Sequence, residues 1–338
     1  MASALKDSYG RVITDLRISL TDRCNFRCFY CLPHGEPPLA SKQKILTFEE
    51  IERVSSIFIS LGIQKIRLTG GEPLLRKDIE ILIKKLSDLK KRNPLGGELK
   101  EIAMTTNGFS LSSRAFDLKH CGLDRVTISL DSLKREKFQK ITGVDRLNEV
   151  LEAIEISKRA GLNPVKVNAV IVRGWNDDEI VDLATFARQN SLHMRFIEYM
   201  PLDSAKGWRR ELVVSGREIF QRINEVYPLT LKKDSRGNET AWRYVFRDGV
   251  EAEIGIIAPI TDMFCGACSR IRLTADGQIR TCLFSIKEHN LRDLMRSGAT
   301  DTQIAEFIEN VTLKKEPRHY INDINFVPAS RSMSLIGG

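Results

Sequence analysis

Strand-like and helix-like segments alternate through residues 12–200, and this rhythm constrains the fold more tightly than any other feature of the chain. Strands are expected over 12–20, 63–68, 99–105, 125–130, 165–172 and 193–198, where apolar residues alternate with polar ones or run together. Between them lie helical patterns. The first opens on the capping box Thr47-Phe-Glu-Glu50, carries Ile51, Val54, Ile57, Phe58 and Leu61 on one face, and stops at Gly62. Later helices are expected over 78–90, from a cap at Ser112, over 146–160, and from near Asn176. About six such units demand a parallel sheet with helical crossovers. The expected fold class is α/β: an incomplete (β/α)6 TIM-like barrel over residues 1–210. A mixed α+β extension over 211–338 would close its mouth. That part shows a helical pattern over 215–226, strands and loops over 227–284, and helices over 291–296 and 302–311.

Polar residues recur at one parity of the expected strands. Arg17, Arg67, Thr105, Ser129, Lys166, Asn168 and Arg195 each sit between apolar neighbours. A closed TIM barrel fills its interior with Val, Ile and Leu. This pattern predicts a wider, wet cavity that holds a ligand. The net charge of +8, from 52 Lys and Arg against 44 Asp and Glu, favours polyanionic partners: nucleic acid, an anionic surface or a phosphorylated small molecule, among which charge alone does not choose. No run approaches the roughly 20 apolar residues that span a bilayer, and residues 1–10 lack the apolar stretch of a signal peptide. A soluble, cytoplasmic protein is expected.

Six of the seven cysteines form two trios, Cys24-x-x-x-Cys28-x-x-Cys31 and Cys265-x-x-Cys268 with Cys282. Structural zinc sites take four protein ligands, so two sites that each fall one short point to chemistry at an open position. Disulfide frameworks suit small secreted domains rather than a chain with a large core. A Cys₃His zinc site using His34 is the alternative for the first trio. Cys121 stands apart and is expected to pack. Gly70-Gly71-Glu72-Pro73 follows the second expected strand, where glycines let a ligand approach the backbone and Glu72 offers a carboxylate to an amine.

The first trio, with aromatic Tyr30 before its last cysteine and Gly-Gly-Glu-Pro after the next strand, resembles the radical S-adenosylmethionine superfamily. The second trio, within Cys265-Gly-Ala-Cys268-Ser-Arg270-Ile-Arg272 and with Cys282 and Gly337-Gly338, resembles the GTP 3′,8-cyclases of molybdenum cofactor biosynthesis. The resemblance implies that Cys24, Cys28 and Cys31 hold a [4Fe–4S] cluster that binds S-adenosylmethionine, contacted by Tyr30, Gly71, Ser129 and Met200. It implies a second [4Fe–4S] cluster on Cys265, Cys268 and Cys282, whose open iron meets guanine. GTP contacts would come from Arg17, Arg67, Thr105, Lys166, Arg270 and Arg272. Arg17, Arg270, Arg272, Gly337 and Gly338 would serve catalysis, the two glycines by reaching into the active site. A deoxyadenosyl radical would take hydrogen from C3′ of GTP, and the ribose radical would add to C8. The implied partners are a flavodoxin- or ferredoxin-type electron donor and, by product hand-off, a cyclic pyranopterin monophosphate synthase. No nucleic acid or membrane is implied, and a homodimer is left open.

Two rivals remain at this level: a peptide-modifying radical enzyme, and a zinc-stabilised nucleic-acid-binding protein. The first usually carries more cysteines, and the second should show clustered aromatics, whereas Phe, Tyr and Trp total 7% and are dispersed. The pattern also makes one register prediction. A two-residue turn at Asp276-Gly277 would put Cys282 opposite Ile271, on the face away from Cys268. A three-residue turn with Gly277 left-handed puts Cys282 opposite Arg270, so the longer turn is expected.

Overall fold

The computed structural model describes residues 4–32, 39–202, 207–329 and 331–337. Six parallel strands follow the expected rhythm: β1 (Asp15–Ser19), β2 (Lys65–Thr69), β3 (Glu101–Thr106), β4 (Arg125–Ser129), β5 (Lys166–Ile171) and β6 (His193–Glu198). They pair in sequence order. Between and after them run α1 (Phe48–Ser60), α2 (Ile79–Lys91), α3 (Ala115–His120), α4 (Arg135–Thr142), α5 (Leu147–Arg159) and α6 (Ile180–Gln189). The capping box at Thr47 and Glu50 forms as expected, and Gly62 takes a φ of +104° at the end of α1.

Strand parity sorts the side chains. In β1, Leu16 and Ile18 are fully buried against the helical layer, while Asp15 and Arg17 face the concave side. The same holds for Ile66 and Leu68 against Lys65 and Arg67 in β2. One apolar core therefore lies between strands and helices, and the inner face of the arc is left polar.

The remainder is α7 (Gly216–Val226), β7 (Leu229–Leu231), β8 (Trp242–Phe246), β9 (Glu253–Ile257), β10 (Arg270–Leu273), β11 (Gln278–Arg280), β12 (His289–Asn290), α8 (Leu291–Arg296), α9 (Asp301–Thr312) and α10 (Met333–Ile336). It contributes more than a cover. β10 adds in parallel to β1 and β9 adds in parallel to β6, so the twelve-stranded sheet is continuous across residue 210. The sheet is an open arc of eight parallel strands, with antiparallel strands at both edges. The partial TIM-like barrel is there, widened by one strand on each side. No helix among the described residues is long and apolar enough to cross a membrane.

Two local expectations fail. The third helix starts at Ala115, not after Ser112, because Leu111 and Arg114 close turns on Gly108 and Leu111 first. Arg114 is then held by Glu80 and the Leu74 carbonyl. Helix α4 was not anticipated, because its mostly polar sequence buries only Phe138, Ile141 and Thr142.

A cationic chamber flanked by two cysteine trios

The first trio sits on the loop that leaves the C-terminal end of β1. Neighbouring backbone clamps this loop. Arg27 N–H donates to the Thr142 carbonyl at 2.7 Å and Phe29 N–H to the Ile141 carbonyl at 3.0 Å, both at the end of α4. On the other side Gly71 N–H donates to the Thr21 carbonyl at 2.7 Å and Glu72 N–H to Arg23 at 2.8 Å. A Cβ at Gly71 would collide with the Arg23 carbonyl. The glycine pair thus admits the chain's own cysteine loop, and this accounts for the Gly-Gly without a ligand.

Glu72 departs from expectation in the same way. Its buried carboxylate accepts from Leu74 N–H at 3.0 Å, Thr106 Oγ1 at 2.7 Å and Asn107 N–H at 2.7 Å. It is saturated by the chain and joins the loops after β2 and β3, leaving little capacity for an incoming amine. Burial lifts its pKa to about 7, against the pull of those three donors.

Around the thiols, Phe26 N–H points at Cys24 Sγ at 3.5 Å, and the backbone N–H of Ser334 reaches the Cys31 sulfur. Tyr30 is buried beside Cys28 and donates to Asp131 Oδ2 at 2.6 Å, just beyond the end of β4. Burial pushes Cys24 up to about 11 and Cys31 to about 12, and raises Cys28 as well. Three half-buried thiols raised in this way become thiolates beside a strong positive charge such as a metal centre. Among the described residues, no three His, Cys, Asp or Glu side chains converge closely enough to hold a single metal ion. His34 lies outside the described residues.

The second trio lies at the opposite end of the same strands. Cys265 and Cys268 precede β10, whose first residue, Arg270, is level with Asp15 at the start of β1. The hairpin has the longer turn. Arg272 pairs with Arg280 and Leu273 with Ile279, Thr274 N–H donates to the Gln278 carbonyl at 2.9 Å, and Gly277 takes a φ of +78°. That register, continued two residues, sets Cys282 opposite Arg270 and beside Cys268. Arg270 Nη2 lies 3.3 Å from Cys268 Sγ. Burial alone would raise Cys268, but Arg270 and the buried Lys315 ammonium bring it down to about 7. Cys265 and Cys282 are raised by burial, as the first trio is, so Cys268 alone is drawn down by the neighbouring cations.

Between them is a chamber of about 260 Å³. Of the anticipated residues, Arg17, Arg67, Thr105, Lys166, Asn168 and Arg195 line it, as do Arg270, Arg272, Met200 and all three cysteines of the second trio. Ser129, Tyr30, Gly71 and the first trio are not on its wall; they gather at the C-terminal strand ends. The parallel registers set Arg272 beside Arg17 and Arg17 beside Arg67, a row of three guanidinium groups on adjacent strands. Neighbouring strands lie about 4.8 Å apart, and like charges directly opposite are destabilising. Burial and mutual repulsion depress all of them: Arg17 and Arg67 well below the usual range, Arg272 to about 10, and Lys166 to about 6. The Asn168 Oδ1 and Arg195 Nε atoms are buried with no hydrogen-bond partner. Such a chamber is built for a polyanion.

Sequence reasoning missed Lys65, Arg125, Lys315 and His319, which also line the chamber. Lys65 and Arg125 open their strands at the same inward parity as Arg67 and Thr127, so alternation held their signal. Lys315 and His319 lie in an irregular segment where no periodicity points inward.

The segment Met333–Ile336 forms α10 and occupies the interval between the trios. Met333 lines the chamber, Ser334 contacts Cys31, and the Gly337 carbonyl accepts from Arg272 Nη1. A Cβ on Gly337 would lie 2.7 Å from Thr69 Oγ1 and 3.1 Å from Ser19 Cβ. Gly337 thus lies against Arg272 of the chamber wall; Gly338 lies outside the described residues.

A cysteine trio on the loop after β1 of a parallel partial barrel defines a radical S-adenosylmethionine enzyme, and the Radical SAM superfamily model matches residues 18–187. A [4Fe–4S] cluster and S-adenosylmethionine belong to that class, and the first trio and its loop fit them. Among solved structures, Streptococcus suis SuiB bound to S-adenosylmethionine is similar at a TM-score of 0.64, with 15% identity, over 92% of this chain and 73% of that one. Native anSMEcpe with bound AdoMet is similar at 0.63, with 14% identity, over 91% and 82%. These likenesses speak for the fold alone. The Molybdenum Cofactor Synthesis C model matches residues 192–321. The GTP 3′,8-cyclase of Streptomyces coelicolor is 44% identical over 339 residues, covering 100% of this chain and 97% of that protein. That of Moorella thermoacetica is 42% identical over 335 residues, covering 99% and 100%. The chain belongs to the GTP 3′,8-cyclase family of molybdenum cofactor biosynthesis.

Proposed function

We propose that the chamber holds GTP, with its triphosphate on the row Arg272, Arg17 and Arg67 and on Lys166, and its guanine toward the second trio. The observation that carries this reading is the concentration of buried cations around unpartnered polar atoms. A triphosphate relieves the repulsion that depresses each of them. Arg270 supplies a further planar donor, and Thr105 is held beside Arg67, whose Nη1 lies 3.3 Å from its hydroxyl.

Cys24, Cys28 and Cys31 would hold the first cluster. Tyr30, Gly71, Ser129 and Met200 would surround S-adenosylmethionine at the C-terminal strand ends. Together these groups supply, when bound, one-electron radical chemistry able to break an unactivated C–H bond. Cys265, Cys268 and Cys282 fit a second [4Fe–4S] cluster: all seven cysteines are free thiols, Cys268 and Cys282 flank the β10–β11 hairpin, and Arg270 and Lys315 favour the Cys268 thiolate. The reaction removes hydrogen from ribose C3′, joins C3′ to guanine C8 and returns one electron and one proton, so product and GTP are isomers.

The chain's share is geometry and dryness. The arginine row fixes the phosphates, which limits how far C3′ and C8 can move apart, and such positioning is worth several orders of magnitude in effective concentration. α10 and Gly337, in contact with Cys31 on one side and Arg272 on the other, would help keep water from a reactive substrate radical. Arg17, Arg270, Arg272 and Gly337, with Gly338, act in this positioning sense, and no acid–base pair is needed for the first step. Free thiols fit a reducing cytoplasm. A flavodoxin- or ferredoxin-type protein would deliver the electron, and a cyclic pyranopterin monophosphate synthase would consume the product.

Anaerobic reconstitution tests this. About eight irons per chain, and conversion of GTP, but not ATP, into an isomer of equal mass in the presence of S-adenosylmethionine and a reductant, are expected. Turnover of GTP with four irons would remove the second cluster from the account, and no turnover with eight would remove the substrate.

A further inference from the structure

We propose that the chamber takes GTP as the metal-free anion and turns its magnesium complex away. The inference rests on the reading of the chamber as the GTP site and adds the ionic form of the substrate.

Among the described residues, nine lysine and arginine side chains line the chamber against three carboxylates, Asp15, Glu101 and Glu239. The chain itself already engages each carboxylate. Glu101 takes the Arg125 guanidinium through two hydrogen bonds, at 2.5 Å and 3.0 Å. Glu239 faces Arg243 at 2.7 Å. Asp15 accepts from the hydroxyls of Thr14 and Ser269, both at 2.7 Å.

The cations of the wall are left in excess. Burial depresses the pKa of Arg17, Arg67, Lys166, Arg195 and Arg272, and neighbouring cations depress each one further. The Arg195 Nε and Arg125 Nη1 atoms are buried with no hydrogen-bond partner. The protein thus carries a demand for negative charge that its own acids do not meet.

GTP brings about four negative charges near neutral pH, because its terminal phosphate is largely doubly ionised. Bound magnesium cancels roughly two of them. Half of the attraction is then lost, and a divalent cation is placed among guanidinium groups that already stand side by side on adjacent strands. Magnesium in nucleotide sites is anchored by one or two carboxylates and keeps several of its waters, whereas the carboxylates here are committed elsewhere. Arginine instead offers paired planar donors to the phosphate oxygens that the metal would claim.

The chemistry asks for no metal at the phosphates. Phosphoryl transfer uses magnesium to neutralise charge that develops on the β- and γ-oxygens. In this cyclisation bonds change at C3′ and C8, and no phosphate bond breaks. Free magnesium therefore acts as a brake, because it draws GTP into a form the chamber refuses.

The test is equilibrium binding of GTP to the whole chain, reconstituted anaerobically, without S-adenosylmethionine or reductant, as magnesium chloride is raised from none to millimolar excess. Ionic strength is held constant with potassium chloride, because salt alone screens phosphate contacts. The expected result is an apparent affinity that falls with the share of GTP left uncomplexed, by about tenfold or more at the highest magnesium. The exchange-inert chromium(III) complex of GTP should fail to displace GTP. In Arg67→Met, which removes one cation of the row, free GTP should lose more affinity than its magnesium complex, so the dependence on magnesium should shrink. Affinity that magnesium leaves unchanged, or a chromium complex that competes as well as free GTP, would overturn the proposal alone and leave GTP in the chamber. No binding of GTP at any magnesium concentration would remove the reading of the chamber as the GTP site as well. The measurements on the unaltered chain decide even if Arg67→Met fails to fold.

Discussion

Arg272 Nη1 donates to the carbonyl of Gly337, and this one hydrogen bond ties the chain's last described residue to the strand that leads from the second cysteine trio. Arg272 stands beside Arg17 in the parallel register and shares the chamber wall with Cys268 and Cys282. The residues just before Gly337 touch Cys31 of the first trio. A single short segment therefore reports on both ends of the chamber.

That arrangement makes Gly337→Ala a sharp probe. The φ of +75° disfavours any side chain, and the added methyl group would press on Thr69 and Ser19. Insertion should fail and cyclisation should fall by more than about tenfold, consistent with the sensitivity of radical chemistry to small misplacements. Iron content should stay unchanged. Removing Gly337 and Gly338 together should abolish cyclisation with both clusters intact; full activity in either variant, measured as product per minute, would refute the role of the segment.

Gly277→Val addresses the hairpin register. The φ of +78° and contacts at 2.6 Å to Arg292 Cβ and 3.0 Å to Leu46 Cδ2 leave no room for a side chain. The turn should shorten or distort, moving Cys282 away from Cys268. The expected readout is a drop from about eight irons per chain to about four, with S-adenosylmethionine cleavage by the first site retained.

Lys166 carries a sign that can be checked against pH. Burial, then Arg195, Arg125 and Arg67, hold its folded pKa near 6, against about 10.4 in an unfolded chain. Between those values the unfolded chain binds the extra proton, so the stability of the nucleotide-free protein should rise with pH over that window. Lys166→Met should flatten this rise and increase the melting temperature near pH 6. It should also weaken GTP binding by at least about tenfold, as loss of a buried charge partner does. Proton uptake on GTP binding near pH 7, seen by calorimetry in buffers of different ionisation enthalpy, should vanish in the variant.

Glu72→Ala should destabilise the fold rather than tune a ligand contact. It orphans Leu74 N–H, Asn107 N–H and the Thr106 hydroxyl, each worth about 1–3 kcal/mol when buried without a partner. A melting temperature within two degrees of the parent chain would show that the carboxylate is not the clasp described.

The six strands with their crossover helices, the capping box at Thr47 and the inward parity of Arg17, Arg67 and Lys166 were legible in the residues, because periodicity and cap chemistry are written in near neighbours. The turn length before Cys282 followed only from requiring Cys282 to share a face with Cys268. Tertiary structure alone decided that β10 and β9 extend the arc, that Glu72 is spent on its own loops, and that Lys315 and His319 reach the chamber. Those outcomes depend on contacts between residues tens to hundreds of positions apart, such as Asp15 with Arg270 or Arg11 with Pro317. No local pattern encodes them, because pairing across the sheet is chosen by the burial of the whole chain.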